Sequence, residues 1–234
     1  MQGFNHDSSG SDGDWDHGGE LAWNEADWQL YLKRAEAEQR RFLELYQRCR
    51  QHPARLDEIA RQMQWDREDW SLPGNNSEPD WEEDDAVAPD SGEDLEPYTI
   101  HKHPVYIVSH ALTRLLNTRW SAYLQAHWSL FQAKQVIDFS DGARLGELNA
   151  VMALDALEMG DFNLAVCHLK RALAGLNAAM NAIFGAPGPS RSIREAFTSD
   201  MAAIAFDLRE VWLRVLSECR EEARRDDEAD SGDA

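Results

Sequence analysis

Residues 143–184 constrain this chain more than any other stretch. Apolar residues recur at helical spacing on both sides of a single break, Gly160-Asp161. Gly160 can take the left-handed conformation that ends one helix, and Asp161 can cap the next. Before the break, Leu145, Leu148, Met152 and Met159 form one stripe and Val151, Leu154 and Leu157 another. This helix is therefore apolar over most of its circumference and is expected to sit centrally. After the break, Phe162, Ala165, Val166, Leu169, Ala172, Leu173, Leu176, Met180 and Ile183 make a wide inner face, which Gly185-Ala186-Pro187-Gly188-Pro189 ends. Such a hairpin needs other helices to cover it.

The flanking sequence supplies them. From Trp23 to Cys49 the residues Trp28, Tyr31, Ala35, Phe42, Leu45 and Cys49 fall at steps of three, four or seven, which predicts a long helix with a narrow apolar stripe. Pro53 is placed for the first turn of a second helix, with Leu56, Ile59, Ala60 and Met63 inside. After His103-Pro104 the spacing runs to Asp138, long enough to expect a bend near Asn117-Thr118 and a stop at Ser140-Asp141-Gly142. Ser192 and Glu195 have capping-box spacing, and Phe197, Met201, Ile204, Leu208, Val211, Val215 and Cys219 then form the seam of a bundle helix. Helices at roughly 102–138, 142–159, 161–184 and 191–224 predict an all-α fold, an antiparallel four-helix-type bundle with an N-terminal helical extension.

Charge divides the chain further. Residues 1–20 hold five acids, 71–97 ten and 226–234 five, none with Lys or Arg; the remaining 23 acids face all 23 bases, so the -20 net charge belongs to these three segments. The reading is a disordered acidic N-terminus (1–19), a Trp-rich helical arm (20–70), a disordered acidic linker (71–97), a bundle (98–225) and a disordered acidic tail (226–234). A general nucleic-acid binder is excluded, because phosphate neutralisation needs a basic surface. A basic protein partner suits the charge. No stretch approaches the ~18 apolar residues of a membrane span, and Met1 to Gly19 lacks a secretory pattern. Cys49, Cys167 and Cys219 are unpatterned and read as free thiols, so a cytoplasmic location is expected.

At the central turn, Met159 to Leu173 reads MGDFNLAVCHLKRAL. This resembles a tetratricopeptide-type hairpin, with Gly160-Asp161-Phe162 at the turn, Ala165-Val166 opening the second helix and Ala172-Leu173 closing the repeat. The preceding helix departs from the family pattern at Asn149, Ala153 and Ala156. The resemblance implies a helix-turn-helix unit that presents a groove to a peptide.

Candidate chemistry is sparse. His103, His110 and Asn117 repeat every seven residues, a polar stripe beside the apolar one. With Arg114 or Arg119 nearby it could hold a phosphate or act as acid and base. Helical ribonucleases of the HEPN type carry an Arg and a His on one helix, and Arg119 and His127 resemble that pair. The catalytic candidates are thus His103, His110, Arg119 and His127. No metal site is expected, because Glu147, Asp155, Glu158 and His168 lack carboxylate-bridge spacing, and no cofactor motif is present. Asp155, on a nearly all-apolar helix, must be paired, capped or turned to solvent. Six tryptophans precede the bundle, and Trp23, Trp28, Trp65, Trp70 and Trp81 are candidate partner contacts. The leading expectation is a non-catalytic adaptor that binds a protein through these tryptophans or the bundle groove. The alternatives are a phosphate-handling enzyme and an antitoxin-like inhibitor of a basic partner. The heptad seams at Trp28–Cys49 and Phe197–Cys219 would also allow a homodimer.

Overall fold

The computed structural model describes residues 23–65 and 99–232, and every regular element among them is helical. Six α-helices pack together: α1 (Glu25–Arg48), α2 (Arg55–Met63), α3 (Pro104–His127), α4 (Ala133–Glu158), α5 (Phe162–Phe184) and α6 (Arg191–Gly232). The acidic N-terminus, the linker, Trp70 and Trp81 lie outside the described residues. No described helix is long and apolar enough to cross a membrane.

Local chemistry sets the boundaries. Asn24 opens α1 with a capping box, its side chain accepting from the amides of Ala26 and Asp27 while Asp27 accepts from the Asn24 amide. The helix α2 begins at Arg55, past Pro53, and ends on Gln64 in the left-handed conformation at φ 63°. In α3 the cap is His103, whose Nδ1 accepts from the Val105 amide at 3.1 Å.

The long helix expected to Asp138 instead breaks at a short 3-10 turn, Trp128–Leu130. Asn117-Thr118 stays helical. Two features place the break: Phe131 turns its ring to within 5.4 Å of Trp120, and Gln132 with Gln135 forms a reciprocal cap that starts α4. Ser140-Asp141-Gly142, expected to be a stop, therefore lies inside α4. Ser190, not Ser192, caps α6: its Oγ accepts from the Ile193 amide at 3.3 Å. The helix α6 also continues past Arg225, the expected end of the bundle, to Gly232.

The hairpin forms as its pattern predicts. Gly160 takes φ +74°, and Asp161 Oδ1 accepts from the Leu164 amide at 2.8 Å. A feature of α4 and α5 absent from the expectation is how closely they cross. A Cβ on Gly142 would lie 2.6 Å from the Ala179 nitrogen, and one on Gly175 would lie 2.7 Å from the Gly146 nitrogen. The two backbones touch there, so a side chain at either position would have to push the helices apart.

The remaining helices close the core from the opposite side. In α6, Met201, Ile204, Leu208, Val211, Val215 and Cys219 are buried, and Trp212, 1% exposed, donates to Ser109 Oγ at 2.8 Å. Burial, then the Glu218 charge, pushes the Cys219 thiol up to about 12. At one end Trp120 stacks on Phe139 at 4.2 Å and Tyr123 on Phe197 at 3.7 Å. The Tyr123 hydroxyl donates to the Pro187 carbonyl at 2.8 Å, fastening the α5–α6 connection to α3.

Candidate functional site

Each sequence candidate occupies a definite place, and the catalytic set does not assemble. His103 is buried and serves as the α3 cap. His110 pairs with Glu147 of α4, Nδ1 to Oε1 at 2.6 Å, and its ring lies parallel to Tyr106. With Arg114, Asn117, Thr118, Ser121 and Gln125, this pair lines an open polar cavity of about 590 Å3. Arg119 points elsewhere and bonds Asp200 of α6 at 2.9 Å. His127 packs against Tyr123, ring centres 4.6 Å apart. Arg119 and His127 therefore meet different partners, and a separation of eight residues on an α-helix turns two side chains roughly 80° apart.

The tryptophan arm is docked on the bundle. Tyr31, Ala35, Phe42, Leu45 and Tyr46 of α1 and Leu56, Ile59 and Met63 of α2 are buried. Trp65 is half-buried and stacks on Phe42 at 6.1 Å. Trp23, half-buried, and Trp28, 40% exposed, sit edge-on around Tyr31. Two acids of α6 fasten the arm. Asp207, 8% exposed, accepts from the Tyr46 hydroxyl and takes a two-pronged contact from Arg55 at 2.5 and 2.6 Å. Asp200 pairs with Arg50 as well as Arg119. Burial first, then the Asp207 hydrogen bond and charge, hold the Tyr46 phenol well above its ordinary value. The seams of α1 and α6 that suggested a homodimer are thus largely filled within the chain.

The outer side of the hairpin remains uncovered. The α4 stripe divides from the expectation that the helix is enclosed: Leu154 and Leu157 are buried, but Leu145, Leu148 and Met152 are exposed by 42%, 46% and 42%, and Met159 by 72%. Asp155 lies on the solvent side among them, which resolves how an acid survives on so apolar a helix. Beside this stripe runs a cavity of about 730 Å3 between α4 and α5. Its lining includes Gly142, Leu145, Ala174, Gly175 and Ala178, with Asp138, Asp141 and Arg171 as its charged members. Two of the glycines that let the backbones touch, Gly142 and Gly175, belong to this lining. The four-residue spacing of Gly142 and Gly146 was the available sequence signal for this crossing.

Among the described residues no group of three or more His, Cys, Asp or Glu could hold a metal ion. Compared with known proteins, the chain matches no family model, no curated protein and no solved structure at a significant level.

Proposed function

We propose that the protein is a non-catalytic helical adaptor that receives one amphipathic helix of a basic protein partner along the α4–α5 groove. The observation that carries this is the uncovered stripe Leu145, Leu148, Met152 and Met159, whose first member also lines the α4–α5 cavity. Large apolar side chains aligned along one helix, with charged residues nearby, favour a partner that supplies matching apolar residues at helical spacing. Charge selects the partner's sign. Two acids and one arginine line the groove, and the acidic segments outside the bundle add a long-range pull, so a basic helix is favoured over an acidic one. The tetratricopeptide-like turn at Gly160 supports the same reading. Free cysteines suit the cytoplasm as its setting.

The test uses two synthetic helical peptides of three heptads, about 21 residues, with Leu at the core positions and either Lys or Glu elsewhere. In fluorescence anisotropy with the full chain, the Lys peptide should bind saturably, weaken with salt, and lose about tenfold affinity to Leu148→Asp. Equal binding of both peptides, or indifference to Leu148→Asp, overturns the reading. A second reading keeps His110 as a general base oriented by Glu147 in the polar cavity. It requires phosphoester turnover that His110→Ala abolishes with helicity intact.

A further inference from the structure

The seam between the arm and the bundle contains a charge arrangement that docking alone does not explain. A largely enclosed cavity of about 200 Å3 lies there, lined by Tyr46, Gln47, Arg50, Arg55, Arg119 and Asp200 among others. Three of its lining residues are arginines, contributed by the α1–α2 turn, the start of α2 and the second half of α3, and one is acidic. Asp207, just outside, neutralises Arg55, and Asp200 is shared between Arg50 and Arg119. Three cations therefore meet two carboxylates. Their guanidiniums carry about fifteen N–H donors, of which the two carboxylates take four. A surface ion pair needs no third arginine, and the two carboxylates leave one positive charge and most of the guanidinium donors over for a further anion.

We infer that this cavity binds a small tetrahedral oxyanion of the phosphate class, held by Arg50, Arg55 and Arg119. Planar guanidinium forks match phosphate oxygens in pairs, which a single lysine cannot do. The volume is below the ~300–1,000 Å3 of pockets that enclose whole organic ligands, so the oxyanion itself is the recognised group. Gln47, Gln51 and Ser199 also line the cavity and can add neutral donors. Because the arginines come from both the arm and the bundle, a bound oxyanion joins the two and stabilises the docked arm by mass action. This site is separate from the groove proposed above, and either can fail without the other.

The experiment follows the full chain in thermal melts and calorimetric titrations with inorganic phosphate, against chloride at matched ionic strength. Phosphate should raise the melting temperature saturably. Arg119→Gln should weaken binding about tenfold, the loss of one charge-assisted contact, with Arg119→Lys between the two. Because Arg119 also holds Asp200, a second variant runs the other way: Asp200→Asn removes the competing carboxylate and should bind phosphate about tenfold tighter even as the arm loosens. Phosphoserine and adenosine monophosphate in parallel separate the sources. Tighter binding of either identifies a phosphomonoester, and binding of inorganic phosphate alone identifies the free ion. No saturable effect from any of the three, or no gain in Asp200→Asn, overturns the inference.

Discussion

Replacing Gly175 with alanine should destabilise the protein, against the usual direction of that substitution. In an ordinary helix interior, Gly→Ala gains about 1 kcal/mol because alanine loses less backbone freedom. Here the new Cβ would sit 2.7 Å from the Gly146 nitrogen and 2.8 Å from the Gly142 carbonyl oxygen. Both obstacles are backbone atoms of α4, so no side-chain rotation relieves the clash and the helices must separate. Overpacking costs ~1–3 kcal/mol; with a rigid obstacle the upper end applies, and the net loss comes to about 2 kcal/mol after the helix-propensity gain. Urea unfolding followed by far-UV circular dichroism reads this as a lower midpoint at unchanged slope. Gly160→Ala is the control, because its Cβ would meet nothing and its cost, ~1–2 kcal/mol, comes from φ +74° alone. A Gly175→Ala protein as stable as the wild type, or more so, would refute the close crossing and with it the shape of the groove.

Two further perturbations probe the arm and the last helix. Asp207→Ala leaves Tyr46 and Arg55 without their buried partner, so stability should fall by about 3 kcal/mol; limited proteolysis should then cut between α1 and α2 before it cuts the bundle. Glu218 has its carboxyl raised by burial, then by the Glu221 charge, against a weaker pull from Arg214, and one of its oxygens is buried without a partner. With the folded value above the unfolded one, the native state holds the extra proton, so stability falls as pH rises through the carboxylate range. Glu218→Gln should therefore be more stable than wild type at neutral pH and equal to it in acid, as read from melting temperature against pH.

Periodicity carried the fold, because a stripe at helical spacing reports directly which face is wet and which is dry. The α6 seam from Met201 to Cys219 and the turn at Gly160-Asp161 are examples. Where the reading failed, the deciding contacts were tertiary. Nothing local says that Phe131 will turn back onto Trp120 and break α3 there. Gly142 reads as a stop until Ala179 of another helix is known to press on it. The hairpin faces also show a limit of composition: the two apolar stripes of α4 look alike in sequence, yet one is core and the other is open, and only the count of helices available to cover them tells which. The catalytic candidates are spread apart for a geometric reason. His110 and Arg119 lie nine residues apart on one helix, about half a turn out of phase by the ~100° step of an α-helix, and their partners on α4 and α6 separate them further.

The groove proposal is tested most directly by the methionine methyl groups, which are distributed as if for the purpose. Met152 and Met159 are exposed along the proposed contact, whereas Met63, Met180 and Met201 are buried in the core. In methyl-labelled protein titrated with the Lys-rich helical peptide, the Met152 and Met159 resonances should shift together and saturate at one affinity, while the three core methyls stay in place. Shifts confined to Met63, within the docked arm, or spread equally over all five would contradict the account.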